Sequence, residues 1–260
     1  MKLSILGARV IDPSSGLDQT TDLHLEAGKI VAIGAAPGGF NAVTTIDAKG
    51  LVAAPGLVDL SVALREPGYS RKGSIASETR AAAAGGVTSL CCPPRTKPVL
   101  DTSAVAELIL DRAREAGNSK VFPIGALSKG LEGEQLAELI ALRDAGCVAF
   151  GNGLEGFRST RTLCRALEYA ATFDLTVIFH SQDRDLAEGG LAHEGATASF
   201  LGLPGIPESA ETVALARDLL LVEQSGVRAH FSQLTSARGV ELIAQALSLI
   251  HISEPTRLRR

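Results

Sequence analysis

At 260 residues the chain has material for one large domain, or for one domain with a small appendage. A hydrophobic fraction of 45% beside 21% charged residues excludes a disordered chain, and a formal charge of −4 argues against nucleic acid as a partner. No apolar run approaches the roughly 18 residues that a membrane helix needs, and Arg9 and Asp12 arrive too early for the apolar centre of a signal peptide.

The first 50 residues read as short strands. Segments 3–11, 22–26 and 29–34 alternate or run apolar, with turn signals at Asp12-Pro13, Gly28 and Pro37-Gly38-Gly39 between them. A small β module over residues 1–52 is expected.

After Pro55-Gly56 the texture changes. Apolar runs at 57–63, 87–92, 121–127, 147–150, 176–179 and 227–231 alternate with helical patterns at 103–116, 134–145, 159–172, 208–225 and 236–249. Glycines at Gly85-Gly86, Gly146 and Gly226 mark three returns from helix to strand. Strand, helix and strand at a spacing of roughly 30 residues predicts repeated βα units and a parallel sheet. Periodicity alone leaves an open doubly wound sheet as the alternative. No glycine-rich phosphate loop follows the first strand, which weakens a nucleotide-binding version.

Six such strands are present in the pattern, whereas a closed (β/α)8 barrel has eight. Residues 249–260 leave the rhythm for a polar, basic ending, and they read as a translated adapter sequence appended to an interrupted frame. The expected division is 1–52, 53–248 and this tail. The four cysteines, Cys91, Cys92, Cys147 and Cys164, lack CxxC spacing and read as buried thiols of a reducing cytoplasm.

From about residue 50 the motifs resemble the dihydroorotase branch of the cyclic amidohydrolases. The stretches that carry the likeness are Ala54-Pro-Gly-Leu-Val-Asp-Leu60, Leu64-Arg-Glu-Pro-Gly68, the segment 74–88, Gly189-Gly-Leu-Ala-His-Glu-Gly195 and the segment 201–211. The resemblance implies an α/β fold, a (β/α)8 metallo-hydrolase barrel truncated after about six βα units, with a small N-terminal β-sandwich. It also implies zinc chemistry, in which a bound ion lowers the pKa of water and polarises the scissile carbonyl.

The family's metal positions are largely lost. Its first strand ends in Asp-x-His-x-His, and this chain reads Asp59-Leu-Ser61-Val-Ala63. Its fourth strand offers a carboxylate or a carbamylated lysine, and here Asn152 or Gly153 stands there. The fifth strand keeps His180, but the sixth has Gln233 in place of the histidine three residues after His230. The resemblance also places Arg65 where the family grips the substrate carboxylate, and puts Arg95 where the family has an asparagine. These two mark a vestigial substrate pocket, although Arg65 reads equally well as a structural arginine. His24, His193 and His230 have no partner at ligand spacing and read as structural, and Cys91-Cys92 reads as packing.

With His180 the only surviving ligand-position residue, no catalytic residue and no metal site are expected. The resemblance is closest to bacterial pseudo-dihydroorotases, which assemble with aspartate transcarbamoylase in pyrimidine synthesis. That implies a non-catalytic, cytoplasmic, oligomeric protein whose partner is the transcarbamoylase catalytic chain. The alternative is a working dihydroorotase with a degenerate metal site, and only then is zinc expected.

Overall fold

The computed structural model describes residues 1–248, so the predicted tail at 249–260 lies outside the described residues. The chain divides between Leu57 and Val58 into two compact units.

The first unit is one mixed sheet. Strands β1 (Lys2–Asp12) and β2 (Leu17–Glu26) form an antiparallel hairpin, β3 (Lys29–Ile33) extends it, and β4 (Thr44–Asp47) and β5 (Val52–Ala53) pair in parallel with β1. Asp12 organises the hairpin turn by accepting hydrogen bonds from the Ser14 amide and the Ser15 hydroxyl. A small core of Ala8, Val10, Leu23 and Ala48 lies on the sheet. Buried His24 is satisfied within this unit, with Nδ1 2.9 Å from the Ser4 hydroxyl. The expected sandwich is represented among the described residues by a single sheet.

The second unit carries the parallel sheet. Its strands are β6 (Leu57–Asp59), β7 (Val87–Cys92), β8 (Lys120–Ala126), β9 (Ala149–Gly151), β10 (Thr176–Phe179) and β13 (Arg228–Phe231). Their order across the sheet follows the chain. Pairing from β7 to β13 is parallel throughout. Strands added always on the same side, with helices between them, give the winding of a barrel rather than of a doubly wound sheet, in which the strand order reverses. Two short strands, β11 (Ala192–His193) and β12 (Gly205–Ile206), pair in the segment after β10.

The principal helices are α1 (Ile75–Ala84), α2 (Ser103–Ala116), α3 (Leu139–Asp144), α4 (Thr160–Thr172), α7 (Glu208–Ser225) and α8 (Ala237–Ser248). Short α5 (Arg184–Ala187) and α6 (Ala196–Phe200) flank β11. Ser74 and Ser77 form a reciprocal capping box that starts α1. Gly226 stops α7 in the left-handed conformation expected of it. Helix α3 is shorter than its apolar pattern suggests, because the Gln135 carbonyl accepts from the Lys129 amide and Leu136 bridges Ser128. Those bonds hold residues 135–136 extended.

The main core lies between sheet and helices. Ile75, Leu90, Ile109, Leu142, Phe150 and Val177 are all essentially without solvent exposure there. Neighbouring Cys91 and Cys92 point to opposite faces of β7, Cys92 into this core and Cys91 into a smaller cluster with Ile124 and Ala149. Both edges of the sheet, β6 and β13, are open among the described residues. No described helix is long and apolar enough to cross a membrane.

Candidate functional site

Parallel βα units place loop residues together at the C-terminal ends of the strands, where barrels of this kind hold their chemistry. In the second unit these ends line an open cavity of about 970 Å³. Ser61, Ala63, Arg65, Arg95, His180 and Gln233 all lie on its wall.

The segment after β6 continues beside β7, with the Val62 amide donating to the Cys91 carbonyl at 2.9 Å. Side chains alternate along it, so Ser61 and Ala63 line the cavity while Val62 between them packs against the main core. These are the positions where a pair of imidazoles would converge. A hydroxyl and a methyl stand there instead, and neither supplies a good zinc ligand. Arg65 follows with a positive φ of 65°, its carbonyl accepting from Tyr69 at 2.7 Å.

At the end of β7, Arg95 reaches Glu155 at 3.8 Å, and Arg184 approaches the other oxygen of the same carboxylate at 3.8 Å. Both contacts are longer than a hydrogen bond, so Glu155 compensates the two charges without engaging their N–H groups.

The end of β9 is closed to a bridging ligand. Asn152 turns away from the cavity and is buried, its Oδ1 accepting from the Ser128 amide at 3.2 Å and the Ser128 hydroxyl at 2.9 Å. A side chain at Gly151 would put its Cβ 2.6 Å from the Ile178 carbonyl oxygen. At Gly153, where φ is +59°, a Cβ would stand 3.0 Å from the Arg95 side chain. The two positions open in the sequence, 152 and 153, are thus a structural asparagine and a glycine pressed against an arginine.

His180 stands just beyond β10. Its Nδ1 is sealed from solvent and has no hydrogen-bond partner among the described residues. Burial lowers its pKa below the usual histidine value. Arg95 acts in the same direction, against Gln182 and Glu211, and the net effect favours the neutral ring. The turn carrying it is fixed by Ser181, whose hydroxyl donates to buried Asp218 on α7 at 2.8 Å.

His230 also lies on the cavity wall, which its lack of a partner at ligand spacing did not predict. The register explains it. Ile178 and His230 are directly opposed across β10 and β13, and Ile178, His180 and His230 all face the cavity. Strand alternation was the available signal. Beyond β13, Gln233 holds a positive φ of 57° on the same wall. Lys72, Arg158 and Arg184 also line the cavity, and no motif marks them.

Two imidazoles on neighbouring strands, a serine, an alanine and a glutamine do not fit a zinc hydrolase centre. Among the described residues no three histidine, cysteine, aspartate or glutamate side chains are grouped to hold a metal ion. Three protein ligands and an open position are the minimum for that chemistry.

Comparison with known proteins places the fold and the family. The family described as Dihydro-orotase-like matches residues 49–238. A "Dihydroorotase-like protein" of Pseudomonas putida is 82% identical over 249 residues, covering 96% of this chain and 59% of that protein. Its namesake in Pseudomonas aeruginosa is 81% identical, covering 95% and 58%. The dihydroorotase of Syntrophus aciditrophicus is 46% identical over 247 residues, again 95% of this chain and 58% of that protein. The chain thus spans less than two thirds of the length of these curated relatives. Among solved structures, the L-hydantoinase (dihydropyrimidinase) from Arthrobacter aurescens superposes with a TM-score of 0.76 at 24% identity, over 96% of this chain and 56% of its own. That likeness is one of fold.

Proposed function

We propose that this chain, which belongs to the dihydroorotase-like family, is part of a non-catalytic member that serves as a structural partner of aspartate transcarbamoylase. The observation that carries the reading is the wall around His180, where Ser61, Ala63, Gly151 and Gln233 stand in place of further zinc ligands. The two Pseudomonas relatives above 80% identity are described as dihydroorotase-like, whereas the relatives near 45% are described as dihydroorotases. The split agrees with a branch that has kept the fold and lost the ligands. Because fold alone does not decide function, the site has to.

The whole protein, on this reading, completes an eight-stranded barrel and a sandwich with sequence beyond residue 248. It works in the cytoplasm without a bound metal, as an oligomer with the transcarbamoylase catalytic chain. A stable interface of that kind buries on the order of 1,200 Å² or more. A barrel exterior supplies such an area without any chemistry at its mouth.

The test uses the full-length protein. It should co-purify with the transcarbamoylase, and its deletion should lower carbamoyl-aspartate formation while leaving dihydroorotate formation to other enzymes. His180→Ala and Arg65→Ala should leave the complex and its activity unchanged. Loss of dihydroorotate production on His180→Ala, in a strain lacking every other dihydroorotase, would overturn the reading in favour of a degenerate enzyme.

A further inference from the structure

The stretch between β10 and α7 serves neither the cavity nor the core. No residue from Asp185 to Ala229 lies on the cavity wall, and from Asp185 to Ser209 only Ala198 is buried. Yet this stretch holds two of the segments that carry the family likeness, 189–195 and 201–211. What they build is a chain folded back on itself. The Leu191 amide donates to the Pro204 carbonyl and the Glu194 amide to the Ile206 carbonyl, each at 2.9 Å, with α6 in the turn between the two arms. The arms meet on glycines. A Cβ at Gly190 would collide with the Ile206 side chain, and one at Gly205 would stand 2.9 Å from the Glu194 Cβ. The result is a small knob with a defined backbone.

The knob presents apolar side chains to solvent. Leu186, Leu191, Phe200, Leu201 and Leu203 are all exposed, Phe200 by 88% and Leu191 by 73%. Single apolar residues scattered over a surface are ordinary, but five large ones within eighteen residues of a folded-back segment mark a contact surface. Their charged neighbours carry one sign. No lysine or arginine occurs in the thirty-two residues from Asp185 to Ala216. Asp185, Glu188, Glu194 and Glu208 are exposed and have no salt-bridge partner among the described residues. That rim decides between occupants. A second copy of the chain seated two-fold on this surface would set carboxylates against carboxylates. A partner offering an apolar pocket bordered by lysine or arginine meets both features.

We propose that residues 186–203 form a docking surface for a protein partner with a basic rim, Leu191 and Phe200 entering its apolar pocket. The inference rests on the partner reading above, under which the transcarbamoylase catalytic chain is that protein, and it adds the surface by which the chain is held.

The test uses the full-length protein and the purified transcarbamoylase. Hydroxyl-radical footprinting, mapped by mass spectrometry, should oxidise Leu191 and Phe200 readily in the protein alone and roughly fivefold less in the complex, since an interface core excludes water. In a binding titration, Leu191→Ser with Phe200→Ser should weaken association roughly a hundredfold, the loss that two central apolar anchors bring. Leu220→Gln, at an exposed leucine of α7 outside the knob, should leave it unchanged. Glu188→Gln with Glu194→Gln should slow association several-fold, by a margin that shrinks as salt is raised. If the two parent proteins do not associate, the partner reading itself falls and this surface with it. If they associate, the double serine variant binds as tightly as the parent and Phe200 is still oxidised in the complex, the surface is wrong and the partner reading stands. Protection of Phe200 in the protein alone, by its own chain or by a second copy, also overturns the proposal.

Discussion

Asn152 holds Ser128 with a single oxygen, accepting both the backbone amide and the hydroxyl of that residue in a region sealed from solvent. The Ser128 hydroxyl in turn accepts from the Gly133 amide at 2.9 Å, and the Asn152 amide group donates to the Leu131 carbonyl at 3.4 Å. The side chain at the end of β9 therefore fastens the loop after β8. Replacing it with the family's carboxylate, Asn152→Asp, would bury a charge and set an oxygen against the Leu131 carbonyl. The expected cost is about 1–3 kcal/mol in a denaturant titration, with no metal gained. A variant as stable as the parent that held stoichiometric zinc would show the side chain free to turn into the cavity.

Restoring the imidazoles should fail for the same reason. Ser61→His, Ala63→His and Gln233→His together put histidines on the correct wall, beside His180. They supply no bridging carboxylate, and Gly151 cannot take one while a Cβ there would sit 2.6 Å from the Ile178 carbonyl. Elemental analysis after chelator dialysis should find well under one tightly held zinc per chain, and no dihydroorotate should form. Turnover by the triple variant would mean that another group completes the centre.

How much of this was legible depends on the kind of signal. The strands β7 and β10 fall where their apolar runs place them, and α2 and α7 where their amphipathic patterns do, because those segments bury one face and the period records it. Short β11, β12, α5 and α6 have no length over which a period can show, and only the resemblance marked that stretch. At the site, the loss of ligands at 61, 63 and 233 was readable as residue types. The inward face of His230 depends on its register with Ile178, and the outward turn of Asn152 depends on Ser128, two partners far away in sequence. Arg65 and Arg95 were marked by the resemblance, whereas Lys72, Arg158 and Arg184 on the same wall are spread over more than a hundred residues without a motif.

The thiols should separate cleanly by reactivity. Burial pushes Cys92 and Cys147 up to about 12, and it raises Cys91 as well, with the charge of Asp59 adding to the effect. At pH 8 a thiol with a pKa near 12 is thiolate in only about one molecule in ten thousand. Cys164, on α4, is partly exposed. A disulfide exchange reagent should modify one thiol promptly and the other three only after denaturant is added. Prompt modification of two or more would place Cys91, Cys92 or Cys147 outside the core.

Glu211 gives the fold its clearest acid dependence. Its carboxylate accepts from the Thr235 amide at 2.7 Å, the Thr235 hydroxyl at 2.6 Å, the Ser236 amide at 3.1 Å and the Ser236 hydroxyl, so that a residue of α7 caps the start of α8. Burial opposes the charge, but the four donors outweigh it and the pKa falls below the ordinary glutamate value. A lowered folded-state pKa means that the unfolded chain binds the proton more readily. The stabilisation is therefore complete above the unfolded value near 4.5 and is lost as pH falls through the lower folded value. Glu211→Gln should lower stability at pH 7 by about 1–2 kcal/mol, a figure discounted for partial exposure to solvent. The gap between variant and parent should close as pH drops below about 4.5. Gly239→Ala should act in the same direction at pH 7, since a Cβ there would collide with the Glu211 carboxylate and push it off its donors. Thermal melts of the three proteins between pH 3 and pH 8 decide the matter, and a constant gap across that range would mean that Glu211 acts through packing and not through its charge.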